Sequence, residues 1–411
     1  MIYKAPFQPR NCNMGVDLAT GSLRLHCVDL VIPGIIPVSI ERYYNSQRIY
    51  SPRENSFNGW LFNFQEKLTV DPYDESVRLS FPDGGIYRFT HNPDGSYSPA
   101  EPWNYFSLEY DGICFQVAFK DKTRHAYDND GYLWRRMDTH GNKVSYEWNI
   151  AHRLLKITDA SGRVLNVTYE NEPDGSYAMV VEDWERRSLR YHFLPHDGGT
   201  LDRYTDAEGN GTFYDTTSGL FASLSGIRFP NGEWVRNYSL GPRPDTTRIG
   251  RQKFPNGLEI AYGYNDDRQV TQVDCGGRIY VYTYDDYGNV LSATDPIANA
   301  WSYTYDESRR LLKSTDPRLG VTTYTWDFRG NMLSLTDALS HTWTYTYDAT
   351  FNKVLTRRSP APFEYVTEYE YDEDTGDLLT IRDPLAHETD FEYIAGREKL
   401  DSCISGKAAL K

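Results

Sequence analysis

The chain has 411 residues, a formal charge of -15 and an aromatic share of 15%, with 33 Tyr, 18 Phe and 9 Trp. That length allows several cores, and the negative charge argues against nucleic acid or an anionic membrane as a default partner, because a polyanion is repelled over most of the surface. No apolar run reaches the length of a bilayer-spanning helix, and Met1 to Arg10 carries two cations but no apolar stretch, so any export is expected to use a route without a cleavable signal peptide.

Large rings with modest aliphatic content suit strands whose hydroxyls and indole N–H groups stay near water. The five cysteines, Cys12, Cys27, Cys114, Cys275 and Cys403, are scattered and never at metal-ligand spacing. They read as reduced residues of a chain made in the reducing cytoplasm.

Residues 1–120 form a first, β-rich block without a period. It contains Val16-Asp-Leu-Ala-Thr-Gly21, Leu30-Val-Ile-Pro-Gly34, Pro37-Val-Ser-Ile-Glu-Arg42-Tyr-Tyr44-Asn-Ser46 and Gly59-Trp60. Alternation over 36–44 and 77–89 predicts strands, with Pro-Asp-Gly turns at 82–84 and 93–95. No segment sustains a helical period, so helices should be few and short.

From about 121 a repeat takes over. Tyr127-Asp128, Trp148-Asn149 and Tyr169-Glu170 lie 21 residues apart. The period blurs over 170–260, where Phe229-Pro-Asn-Gly232 and Phe254-Pro-Asn-Gly257 still mark hairpin turns. It is regular over 262–393. Tyr282, Tyr303, Tyr324 and Tyr345 each open a Tyr-Thr-Tyr/Trp-Asp unit at a spacing of 21, and Tyr369 follows after 24. The repeat signature is Tyr284-Asp285, Tyr305-Asp306, Trp326-Asp327, Tyr347-Asp348 and Tyr371-Asp372.

Each unit then carries a turn, such as Gly288-Asn289 or Gly330-Asn331, and an apolar pair: Val290-Leu291, Leu311-Leu312, Met332-Leu333 or Val354-Leu355. An Asp-Pro or its relic follows, at Asp295, Asp316, Asp337 and Asp383. Strand, tight turn, strand and Pro-containing turn is the pattern. Tyr282 and Tyr284 should share one face with Thr283 and Asp285 on the other, so repetition should stack aromatic rows along one side of a continuous antiparallel sheet. After Tyr393 the pattern stops, leaving 394–411 as a divergent tail and an unpaired edge near Phe391-Glu-Tyr393.

The two blocks together resemble the Rhs/YD-repeat family. The unit resembles the YD repeat, and Ala19-Thr20-Gly21, Ile32-Pro33-Gly34, Arg42-Tyr43-Tyr44-Asn45-Ser46 and Gly59-Trp60 resemble, in order, the segment that precedes the repeats in bacterial Rhs proteins. The match covers about 10–393. The resemblance implies an all-β fold, a repetitive hairpin sheet curved into a cocoon, enclosing a toxin and delivered by type VI secretion or another contact-dependent system, and released as a secreted or cell-surface product. The implied partners are further Rhs repeats, a toxin domain or a component of the secretion apparatus.

The sequence lacks the self-cleaving core and the variable toxin of the family, and Asp295-Pro296, Asp316-Pro317 and Asp383-Pro384 lack the glycine-rich continuation of the cleavage site. They read as turns, and the chain as truncated, an orphan remnant or one piece of a longer polypeptide. So few repeats should give a curved, partly open sheet.

The residues point away from catalysis. Acidic groups sit at periodic turns, as the repeat alone requires, and no nucleophile elbow, phosphate loop or Cys-x-x-Cys occurs. His192 and His196 are four apart, but Phe193-Leu-Pro195 between them indicates strand and turn, not a metal-binding helix. Asp128-Asn129-Asp130-Gly131 begins like a calcium loop and lacks its closing Glu, so a β-turn is the better reading. No catalytic, cofactor-binding or metal residue and no cofactor is expected. The rival function is carbohydrate binding or adhesion, since rows of Tyr and Trp can stack on sugars; the direction the rings face separates the two.

Overall fold

The structure is a computed structural model that describes residues 2–4, 12–47, 59–195, 199–217, 223–240, 248–393 and 400–405, the first and last of these only as paired backbone. It is all-β. Among the described residues the helical content is one 3-10 turn, Asp266–Arg268, and no helix is long and apolar enough to cross a membrane.

Three antiparallel sheets follow one another along the chain. Five strands between Ile2–Lys4 and Trp60–Phe62 form the first, four between Lys67–Val70 and Tyr97–Pro99 the second, and 28 between Ser107–Tyr110 and Leu400–Ser405 the third. In the third sheet each strand pairs only with its neighbours in sequence, and the connections among the described residues are hairpins too short to cross a strand.

The hairpins are built by the turn aspartates. At 285–289 the Asp285 backbone bonds Gly288 and Asn289, while its Oδ1 accepts from the N–H groups of Tyr287 (3.0 Å) and Asn289 (2.9 Å) and its Oδ2 from the Asn289 amide. The same construction recurs at Asp295, Asp327 and Asp337. It places the fourth turn residue in the left-handed region, which Gly288 takes at φ 81 without strain and Ala298, Leu319 and Ser340 take at φ 66 to 67. Asp285 is therefore the first residue of the turn rather than an outward strand residue, and its strand ends at Tyr284. The 24-residue spacing has the same origin: the turns at 348–353 and 359–365 close over one and two more residues than those of the 21-residue units.

Turns alternate between two rims of the ribbon, a Tyr-Asp rim and an Asp-Pro rim. The ribbon coils until the Tyr-Asp rim of its later part lies on earlier loops. Ser308 Oγ donates to the carbonyl of Pro102 (3.3 Å), and Arg309 sits 3.7 Å over the ring of Trp103. Thr139 Oγ1 donates to the carbonyl of Thr375 (2.6 Å), and His140 meets Asp377 at 2.7 Å. These contacts join residues more than 200 positions apart. The sheet is thus curved and wound on itself, without closing a hydrogen-bonded barrel.

Two expectations are corrected. Cys12 and Cys27 are joined in a disulfide, since they are directly opposed on strands Cys12–Asp17 and Leu23–Ile32 with Cα atoms 4.0 Å apart; Cys114 is a buried thiol outside any disulfide. The edge expected at Phe391–Tyr393 is covered, because strand Leu400–Ser405 pairs along Glu388–Tyr393.

Candidate functional site: the inner face and its clamps

The two small sheets sit inside the coil. Val144 and Tyr146, alternate residues of strand Lys143–Trp148, are buried in one core with Met14, Leu25, Ile40, Trp60 and Phe62 of the first sheet. Ring contacts cross the interface: Phe62 to Tyr191 and Trp60 to Tyr214 at 4.9 Å, Phe64 to Trp148 at 6.1 Å. The face that carries the repeat aromatics is therefore the inner face.

Beyond Tyr284 and Val290, which are still buried, this face loses its cover. In strand Ala300–Tyr305, Trp301, Tyr303 and Tyr305 are half-buried while Ala300, Ser302 and Thr304 are exposed. Small hydroxyls occupy the outer face and bond across strand pairs, as between Thr325 and Ser334 at 2.6 Å and Thr346 and Thr356 at 2.7 Å. The first aromatic of each unit does not meet the next ring directly. Tyr282, Tyr303, Tyr324, Tyr345 and Tyr369 face Ala293, Ser314, Leu335, Arg357 and Ile381, so successive rings stand two strands, about 10 Å, apart.

The signature aromatic has a different role. Each repeat carries a β-bulge at it: Thr283 opposes Ser292 but Tyr284 opposes Val290, leaving Leu291 unpaired. The shift recurs at Tyr305, Trp326, Tyr347 and Tyr371. The ring of the next unit then bonds back to the bulged strand. Tyr305 donates to the carbonyl of Val290 (3.0 Å), Trp326 Nε1 to Leu311 (2.8 Å), Tyr347 to Met332 (2.9 Å) and Tyr371 to Val354 (2.9 Å). Tyr284 hydroxyl instead accepts from Thr271 Oγ1 at 3.3 Å. Thus the Tyr clamps a repeat to the one before it, and the Asp (Asp285, Asp306, Asp327, Asp348, Asp372) caps the hairpin that follows.

The motif ahead of the repeats is the inner sheet's anchor, a role its residue types alone did not reveal. Arg42 is 1% exposed. Its Nε and Nη2 grip Asp29, Nη1 donates to Tyr214 (2.8 Å), and Tyr191 donates to Asp29 (2.8 Å). The guanidinium lies 4.3 Å from the Tyr204 ring centre and 5.3 Å from that of Trp60. Tyr44 hydroxyl accepts the N–H of Leu224 (3.0 Å), and Ser46 Oγ that of Leu23 (3.0 Å). Arg163 bonds the carbonyl of Pro33 (2.6 Å). Glu66 forms a second anchor with Tyr127 (2.8 Å), His125 (2.8 Å) and Arg136 (2.9 Å). Burial alone would raise its pKa, but the charges of His125 and Arg136 and the hydrogen bonds outweigh it and hold the carboxyl at about 2.

The remaining polar groups serve turns. His192 bonds Asp202 through Nδ1 and Ser176 Oγ through Nε2 at 3.1 Å. This is a Ser-His-Asp order, but the Ser176 hydroxyl donates to Asp174 (2.6 Å), as Ser96 does to Asp94 in the matching Pro-Asp-Gly-Ser turn. A nucleophilic serine donates to its base instead. His196 lies outside the described residues. Asp128 Oδ1 accepts from Tyr132 N–H (2.8 Å) in an ordinary turn, and among the described residues no cluster of three metal-ligating side chains occurs.

A wound ribbon of Tyr-Asp hairpins, clamped repeat to repeat and enclosing its own leading sheets, defines a β-repeat shell. Residues 284–319 match the family model described as RHS Repeat and residues 13–89 one described as a domain of unknown function, DUF6531. These two segments, one in the leading block and one in the repeats, bear out the resemblance to Rhs/YD-repeat proteins. No curated protein sequence matches it. Among solved structures it is similar to TcdB2-TccC3-Cdc42 (13% identity, TM-score 0.43) and to the Photorhabdus luminescens Tc holotoxin pore (13% identity, TM-score 0.47), in each case over 93% of this chain and 23% of the other. The chain therefore spans about a quarter of the length of those structures.

Proposed function

We propose that this chain is a non-catalytic segment of an Rhs-type shell that encloses or presents a toxin, made in the cytoplasm, exported and deployed through type VI secretion or contact-dependent competition. The observation that carries this reading is the inner face. It carries the repeat aromatics in rows with smaller and aliphatic residues between them, covered by the two leading sheets over its first part and half open over residues 300–393, so it offers a cargo the kind of surface that the leading sheets already occupy.

A photocrosslinking amino acid at Tyr324, on the inner face, should capture a polypeptide produced from the same locus, whereas one at Thr325, on the outer face, should not. Equal capture, or none from Tyr324, would overturn the proposal. A second reading, glycan binding, is favoured by the half-exposed rings of Trp301, Tyr303 and Tyr305. It requires saturable binding on a glycan array that Trp301→Ala abolishes.

A further inference from the structure

The Asp-Pro rim changes character along the chain. Two residues after the turn aspartate the early hairpins carry His140, Ser161, Glu185 and Glu208, whereas the late ones carry Ile297, Arg318, Leu339 and Leu385. His140 shows what this position can do: it meets Asp377 of the Tyr-Asp turn lying on it. Among the described residues the late rim has no such cover. Ile297, Leu339 and Leu385 are 80%, 76% and 73% exposed, and Leu319, next to Arg318, is 81% exposed. Hairpins on one rim recur every second strand, about 10 Å apart, so Ile297, Leu319 and Leu339 stand on successive turns, Phe363 (69% exposed) follows on the longer turn 359–365 and Leu385 on the next, forming a largely aliphatic row. Single exposed aliphatics need no explanation, but a periodic row of them marks a contact surface.

The opposite rim, in the early part of the ribbon, has a matching feature. Ile150 at the tip of turn 149–153 is fully exposed, and Ile113 at the tip of turn 111–114 is largely so. The seam within the molecule already joins an Asp-Pro turn to a Tyr-Asp turn, at Thr139–Thr375 and His140–Asp377. We propose that a second copy of this chain docks on the late Asp-Pro rim through its early Tyr-Asp rim, repeating that seam between molecules with aliphatic side chains in place of the ion pair. The two surfaces differ, so the contact is heterologous and leaves a free rim at each end, and growth continues into open stacks rather than stopping at a dimer. Each copy carries -15, so added salt should strengthen association by screening repulsion.

Sedimentation equilibrium on the purified chain tests this. The wild type should show mass rising with concentration past a dimer. Ile297→Asp/Leu339→Asp/Leu385→Asp and, separately, Ile150→Asp should each weaken association about tenfold or more with unchanged circular dichroism, since all four positions are solvent-exposed tips. Each variant keeps one intact rim, so mixing the two should give a species that stops at the dimer. A wild type that stays monomeric shows that the row takes some other occupant, such as further repeats, and overturns the proposal. So does association that either variant leaves intact, including a dimer insensitive to Ile150→Asp, which would mean face-to-face pairing.

Discussion

Arg42 holds the inner sheet through charge and ring contacts that no neutral residue reproduces. Because Asp29 is as buried as Arg42, Arg42→Met leaves a carboxylate without its partner and should cost about 3–5 kcal/mol in urea unfolding. Arg42→Lys should recover little, since an ammonium cannot make the two-pronged grip on Asp29 while reaching Tyr214. Glu66 gives a pH signature. Its folded pKa, about 2, lies below the ordinary 4.5, so its contribution is fully present above about pH 4.5 and is lost as pH falls through about 2. The difference in unfolding free energy between wild type and Glu66→Gln should therefore shrink between these limits, by on the order of 3 kcal/mol, and a difference flat with pH would contradict the assignment. At Cys12 and Cys27, alkylation of the unfolded chain should label both positions only after reduction.

Within the repeat element, the Tyr and the Asp of the signature do separable jobs. Tyr347→Phe keeps the ring but removes the hydrogen bond to Met332, a loss of about 1 kcal/mol. Asp327→Ala frees the N–H groups of Arg329 and Asn331 and the Asn331 amide and should cost about 1–2 kcal/mol. Asp327→Asn, which keeps an acceptor, should cost less. Because each strand of this sheet pairs only with its neighbours, both losses should appear as faster hydrogen exchange centred on 321–347 rather than over the whole sheet. Much of this element was legible beforehand: the period, the hairpins, the turn positions and the aromatic face all follow from alternation and turn chemistry. The bulge and the backward clamp were not, because the residue left unpaired, such as Leu291, looks in sequence like any strand residue.

For the whole molecule, the seam sets how tightly the ribbon is wound. Trp103, Arg309 and Tyr287 form a stacked contact in it, with Arg309 3.7 Å from the Trp103 ring and 4.5 Å from that of Tyr287. Trp103→Ala should speed exchange in turns 285–289 and 306–310 and raise the radius of gyration in X-ray scattering while strand pairing over 321–393 persists. Loss of that pairing would mean that the seam supports the sheet itself and not only its curvature. The exposed His140–Asp377 pair should matter little to stability, as surface ion pairs generally do.

Sequence alone determined the repeating part of this protein, because the same local rules act every 21 residues and reinforce one another: Asp caps a turn, glycine takes a positive φ, and ring and threonine alternate across a strand. It also carried the motifs of the leading block, Arg42 and Tyr44 among them, without saying what they touch. Tertiary structure decided the rest: the Cys12–Cys27 pairing, the Arg42 cage, the winding of the rims and the side of the sheet that faces inward. Those contacts depend on curvature accumulated over many strands and on the register of one particular strand pair. Neither leaves a periodic trace in the chain.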